Sequence, residues 1–191
     1  MERVLESIRQ SIRIKEKILS DPEMLHEIDA VAATCSQALC DGHKIMFCGN
    51  GGSAADAQHL AAELSGRFYY DRKPLAAEAL TVNTSFLTAV SNDYSFEEVY
   101  ARLVEGSGIP GDVLIGLSTS GNSENILRAF LAAHSKKIIT VGLTGESGGK
   151  LAALSDFIVR VPSADTPRIQ EAHILIGHII CELIEKNLFG K

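Results

Sequence analysis

The chain opens with apolar residues at helical spacing. Val4, Leu5, Ile8, Ile12, Ile18 and Leu19 recur mainly every three or four positions, which predicts an amphipathic helix from Val4 to Leu19. Asp21-Pro22-Glu23 then restarts a helix. Asp21 can accept from the first amides, Pro22 suits a first turn that needs no donor, and Met24, Leu25, Ile28, Val31, Ala32 and Leu39 carry an apolar face to the stop at Asp41-Gly42. After residue 42 the pattern changes to five short apolar runs bounded by turn residues: Ile45 to Cys48, Ala77 to Val82, Val113 to Leu117, Lys137 to Leu143 and Phe157 to Val161. Such continuous runs read as strands buried on both faces. Helix-length segments separate them at Ser53 to Leu64, Phe86 to Val104, Asn122 to His134 and, shorter, Lys150 to Leu154. A long helix from Pro167 to Leu188, capped by Thr166, closes the chain. Strands alternating with helices are joined by right-handed crossovers into a mainly parallel sheet. The expected fold is therefore α/β, a three-layer αβα sandwich around a five-stranded parallel sheet. It forms one domain over residues 1–191, with 1–41 as N-terminal helices available for contacts between copies and 42–191 as the α/β core.

Composition narrows the partners. Lys and Arg number 18 against 24 Asp and Glu, a net charge of −6 that argues against nucleic acid or a membrane surface as partner. The longest apolar run, Ile174 to Ile184, is broken by Gly177, His178 and Glu182 and falls short of the roughly 20 residues a bilayer demands. Met1-Glu2-Arg3 leads straight into a charged helix with no signal-peptide pattern. Cys35, Cys40, Cys48 and Cys181 form no CxxC pair, and three of the four sit in apolar stretches, so reduced thiols and a cytoplasmic setting are expected.

In an open parallel sheet ligands bind beyond the carboxyl ends of the strands, and two loops there carry chemistry. The first strand runs through Gly49-Asn50-Gly51-Gly52-Ser53 into a helix, and the third through Ser118-Thr119-Ser120-Gly121-Asn122-Ser123 into another. Each places small residues at a helix N-terminus, where free amides and the dipole favour an anion; plain capping is the competing reading. Gly49 to Ala54 also fits the dinucleotide pattern G-x-G-x-x-A, but the acidic residue that pattern needs at the end of the second strand is missing, since Glu78 lies near that strand's start. Gly148-Gly149-Lys150 is no phosphate-binding P-loop, because Thr144 stands at the leading glycine and Leu151 at the hydroxyl position. His59 and Glu63, four apart, face the same way on the helix after the first loop, a pairing that serves metals and acid–base chemistry and that also occurs as an ordinary surface pair. The apolar residues around them suggest a packed helix on which a carboxylate needs a cation or donors. On the last helix, His173 reads as a satisfied core histidine among Ile169, Ile174 and Ile176. Asn92-Asp93 reads as a helix end, and Arg67 and Arg168 as surface arginines able to meet a phosphate.

Taken in order, Cys48 to Ala54, His59, Glu63, Asn92-Asp93, Ser118 to Ser123, Arg168 to Glu171 and His178 resemble the phosphoheptose isomerases of the sugar-isomerase (SIS) domain family, over nearly the whole chain. The resemblance implies a flavodoxin-like sandwich assembled as a homotetramer with sites between subunits. It implies conversion of sedoheptulose 7-phosphate to D-glycero-D-manno-heptose 7-phosphate through an enediol, the entry to heptose for lipopolysaccharide or other surface glycans. It assigns the phosphate to Ser118, Thr119, Ser120 and Ser123, and the sugar to Asn50, Gly51, Gly52, Asn92 and Asp93. It gives zinc to His59, Glu63, Gln170 and His178, with Glu63 and His178 as the catalytic pair. Two tensions come with it. Glu63 cannot both hold zinc tightly and act as a strong base. Gln170 and His178 on one continuous helix would lie about 12 Å apart, too far to share an ion, unless Gln170 precedes the helix or the ligands come from different subunits. Pro167 stands where some members carry an acid, and Asp165 is given no role. The alternatives are a SIS isomerase of another phosphosugar and a non-catalytic relative that associates with the replication initiator and lacks the matching glutamate and final histidine.

Overall fold

The computed structural model describes residues 1–190. Two helices come first, α1 (Glu2–Leu19) and α2 (Pro22–Cys40), followed by β1 (Ile45–Gly49), α3 (Gly52–Ser65), β2 (Ala77–Ala79), α4 (Thr84–Asp93) and α5 (Val99–Ser107). The chain continues with β3 (Val113–Ser118), α6 (Glu124–Ser135), β4 (Ile139–Thr144), β5 (Phe157–Arg160) and α7 (Thr166–Phe189). The five strands form one parallel sheet in the order β2-β1-β3-β4-β5, the flavodoxin-like arrangement. Alternation along the strands divides the interior in two. Ile45 and Phe47 of β1, with Val113, Ile115 and Leu117 of β3, face α2, α3 and α7. Met46, Cys48 and Leu114 face α4, α5 and α6. The expected three-layer sandwich is what forms. Among the described residues no helix is long and apolar enough to cross a membrane.

Local chemistry sets the ends. The Asp21 side chain accepts from Met24 N–H at 3.0 Å, and Gly42 takes a positive φ of +83° just beyond α2, as the sequence suggested. Most boundaries shift by a residue or two, as with β4 starting at Ile139 instead of Lys137, and three differences go further. The second strand stops at Ala79 instead of Val82, because this edge strand has only β1 to pair with and the chain must turn to Asn83, whose side chain caps α4 through Phe86 N–H at 3.0 Å. The single helix expected over Phe86 to Val104 is two. Tyr94 leaves helical geometry, Ser95 is extended, and Phe96–Glu98 form a short 3-10 turn before α5. Arg128 of α6 fixes that break by pairing with Glu97 and Glu98 as well as Glu124. At α7 the cap position is Asp165, with Thr166 already helical and Pro167 in the first turn, so the expected Thr166 cap is not made.

The first helix is covered only over its second half. Only Ile14 and Ile18 of α1 are buried, while Val4, Leu5, Ile8 and Ile12, at the predicted helical spacing, lie exposed on its first half. Of the cysteines, Cys35, Cys48 and Cys181 are buried and Cys40 is exposed, none of them bridged.

Candidate active site

The chemistry assembles where α3 meets α7. Gly177 makes this possible: a Cβ there would come within 2.5 Å of Leu60 Cδ1, so only a glycine lets the two helices approach this closely. The residues adjoining that contact, His59 and His178, then face each other with Nε2 atoms 3.2 Å apart and rings 4.9 Å between centroids. Glu63, one turn beyond His59 on α3, brings Oε1 to 3.0 Å from His59 Nε2. Three electron-pair donors thus lie within 4.8 Å of one another, and His59, Glu63 and His178 form a group able to hold a metal ion. His59 has one Nε2 position for a proton and two neighbours that could accept it, so a bare cluster cannot satisfy every member. The expectation of a buried carboxylate is not met. The α3 residues that pack inward are Ala57, Leu60, Ala61 and Leu64, whereas His59 is exposed and Glu63 half-buried, on the flank open to solvent. Phe68 stacks on the His178 ring at 5.5 Å. Asp56, one turn before His59, is pushed above the usual carboxylate range by burial.

Gln170 does not join this group within one chain. It sits inside α7, eight residues before His178 on an unbroken helix, and its side-chain amide packs over Gly52, where a Cβ would lie 2.8 Å from Nε2. The possibility that it precedes the helix is thereby removed.

The two small-residue loops lie side by side at the point where strand order reverses, because β1 and β3 are neighbours with Gly49 opposite Leu117. They are tied together. Asn50 Nδ2 donates to Asn125 Oδ1 and Asn125 Nδ2 donates to Asn50 Oδ1, both at 2.9 Å. Asn125 is buried, and sequence reading missed it; an amide set against Ile126 and Leu127 on the inward face of α6 was the available signal. In the serine loop, Ser118 and Ser123 hydroxyls meet at 3.0 Å, and Ser120 Oγ accepts from Asn122 N–H at 3.2 Å. Among the described residues, no side chain caps α6, although Ser123 occupies the cap position. Plain capping therefore does not account for these hydroxyls, and the amides at the start of α6 remain available to an anion. Gly121, at φ +65°, closes the turn so tightly that a Cβ would meet Gly148 O at 2.1 Å.

Other expectations resolve individually. His173 is a core residue: fully buried, its Nε2 donates to Thr144 O at 3.1 Å, and burial lowers its pKa to about 4. Glu78, the middle residue of the short β2, pairs with Lys44 just before β1. Arg168 ties α1 to α7 by donating to Ser7 O at 2.6 Å and to Glu171, while Arg67 is exposed just beyond α3. Asn92 and Asp93 form the exposed end of α4, with Asn92 Nδ2 donating to Asp93 at 2.9 Å.

The SIS-domain family model matches residues 8–145. Phosphoheptose isomerases from Aneurinibacillus thermoaerophilus and Clostridium acetobutylicum are 53% and 54% identical to this chain, covering 95% and 96% of it and 92% and 94% of their own lengths. The structure of the phosphoheptose isomerase from Neisseria gonorrhoeae superposes with a TM-score of 0.90 at 46% identity, covering 97% of this chain and 98% of that one. With both loops at the carboxyl end of such a sheet and the cluster on the flank of α3 and α7, the chain belongs to the phosphoheptose isomerases of the SIS-domain family.

Proposed function

We propose that the chain isomerises D-sedoheptulose 7-phosphate to D-glycero-D-manno-heptose 7-phosphate, supplying heptose for lipopolysaccharide or another surface glycan. The observation that carries this reading is the convergence of Glu63, His59 and His178 on the flank between α3 and α7. The phosphate is held at the start of α6 by the amides and by the hydroxyls of Ser118, Thr119, Ser120 and Ser123. Asn92, Asp93 and the backbone of Asn50, Gly51 and Gly52 line the sugar. Glu63 takes the proton from C1 of the open-chain ketose and returns it to C2 of the enediol. His178 moves the hydroxyl proton from O1 to O2. A well-placed acid or base contributes about 10²- to 10⁴-fold to such a step.

Zinc is the ion this donor set fits best. Two imidazoles and a carboxylate are common zinc ligands, and zinc–nitrogen bonds of about 2.0–2.1 Å in tetrahedral geometry place two ligand nitrogens about 3.3 Å apart, beside 3.2 Å for His59 and His178. His59, Glu63 and His178 would hold it, and Gln170 would reach it only from another copy. When bound, zinc polarises the substrate carbonyl. Glu63 contacts His59 through Oε1, which leaves Oε2 for proton transfer and eases the tension between ligand and base.

The uncovered stripe of Val4, Leu5, Ile8 and Ile12 supports assembly of copies through α1, with a tetramer as the proposed state and a cytoplasmic location. Light scattering of the purified protein tests the first point. Phosphorus NMR with sedoheptulose 7-phosphate, run with zinc and again with chelator, tests the reaction. An aldose phosphate signal, with solvent deuterium entering at C2, supports the reading. A folded protein that leaves the ketose unchanged in both tubes overturns it.

A further inference from the structure

Between α3 and β2 the chain runs through residues 66–76 without regular structure, beside the cluster. What orders it is a carboxylate that the chemistry above does not use. Glu185 stands on α7, two turns beyond His178, with its side chain 1% exposed. It accepts from three consecutive backbone amides, Phe68 at 3.0 Å, Tyr69 at 2.8 Å and Tyr70 at 3.1 Å, and from Arg72 Nε at 2.7 Å. Burial pushes its pKa up, but the three amides and Arg72 outweigh burial and hold it below the usual carboxylate range. Arg72, 2% exposed, directs its other donors mainly at the end of α3: Nη2 to Glu63 O at 2.8 Å, and Nη1 to Leu64 O at 2.7 Å and Gly66 O at 3.0 Å, with Lys73 O at 3.1 Å besides. The last carbonyls of α3, which a helix leaves without partners, are thus fixed from α7 through one ion pair. The same carboxylate fixes Phe68, and that places the Phe68 ring on the His178 imidazole.

A buried ion pair adds little net stability over apolar packing of the same volume, so its main consequence is where it holds the backbone. Here it holds two backbones: the one carrying Glu63 and the one carrying the ring on His178. We propose that Glu185, Arg72 and Phe68 are positioning residues that set His178 and Glu63 for proton transfer. The inference rests on the assignment of those two residues as the acid–base pair. None of the three touches the reacting atoms. Their removal changes the turnover of bound substrate and leaves phosphate recognition at α6 alone.

The test compares Phe68→Leu, Phe68→Tyr and Glu185→Gln, each at saturating zinc, for kcat and KM with sedoheptulose 7-phosphate, affinity for inorganic phosphate, and thermal melting. Small displacements of catalytic groups cost up to about 100-fold. Phe68→Leu is expected to lower kcat about 10- to 100-fold, with KM and phosphate affinity within about twofold of wild type. Phe68→Tyr, which keeps the ring, restores kcat. Glu185→Gln lowers kcat comparably, and the double variant with Phe68→Leu falls no further than the worse single variant, because both act through one path. If Glu185→Gln does not fold, the Phe68 pair alone decides. Wild-type kcat in Phe68→Leu, a loss confined to KM, or additive losses in the double variant overturn the inference. Glu63→Gln in the same assay separates the two failures. If it loses turnover while Phe68→Leu keeps it, only the positioning role falls; if it turns over like wild type, the acid–base assignment falls and the positioning role with it.

Discussion

Helices α3 and α6 start from neighbouring strands, each after a loop of small residues, yet they present different parts of themselves. The crossover after β1 puts α3 against α7, and the one after β3 puts α6 against α5 on the opposite face of the sheet. Helix α6 buries Asn125, Ile126, Leu127, Ala129 and Phe130, and what it turns toward the neighbouring loop is its N-terminus. Helix α3 buries one side and leaves His59 and Glu63 on an open flank. The same strand-loop-helix grammar thus offers a helix N-terminus at one helix and an open polar flank at the other. What decides is the second helix packed beside it.

The largest effect should come from the flank. Glu63→Gln keeps the shape and loses the base, so turnover measured by phosphorus NMR should fall about 10²- to 10⁴-fold while inorganic phosphate still binds at α6. Equal losses in both would mean that the two helices are not separate sites. Gly177→Ala attacks the contact that creates the flank. Its Cβ must displace Leu60, an overpacking that should cost about 1–3 kcal/mol and lower the melting temperature by several degrees. Shrinking the neighbour, Leu60→Ala in the same chain, should recover part of both stability and turnover. No recovery would show that the close approach of α3 and α7 does not govern the geometry.

The α6 end should respond in the complementary way. Ser120→Ala with Ser123→Ala should weaken binding of inorganic phosphate and of the sugar phosphate about 10-fold or more, since bonds to a charged acceptor are worth more than neutral ones. Turnover at saturating substrate should change little. Unchanged affinity in a calorimetric titration would place the phosphate elsewhere.

The difference between these helices also explains what could be read from the sequence. Strand and helix identities were legible because a parallel sheet buried on both faces writes continuous apolar runs, and Ile45 to Cys48 and Val113 to Leu117 are such runs. The break at Tyr94 was not, because it depends on Arg128 pairing with Glu97 and Glu98 across some 30 residues. His59 and Glu63 could be paired by spacing alone. Their meeting with His178 was reached only through the family resemblance and not from spacing, since it rests on a glycine-to-leucine contact between two helices more than 100 residues apart. Glu185 and Asn125 left only a local sign, a polar residue on an apolar face, with no indication of the partner each would find.

The smallest expected effect bears on whether the two sites are coupled at all. The resemblance assigns Asn50 to the sugar, yet its side-chain oxygen and nitrogen are both engaged with Asn125 at 2.9 Å. An amide so occupied reaches a sugar only by giving up a bond worth about 1 kcal/mol. If Asn50 acts as a latch between the loops, then Asn50→Ala and Asn125→Ala each remove the same interaction. Both should raise KM several-fold, and the double variant should be no worse than either single one, a coupling of about 1 kcal/mol in a double-mutant cycle. If the Asn50 side chain itself binds the sugar, its loss should exceed that of Asn125, and the two should add. The latch result would make the glycine loop and the serine loop one unit, joined at the point where strand order reverses, with α3 and α6 diverging from it to different tasks.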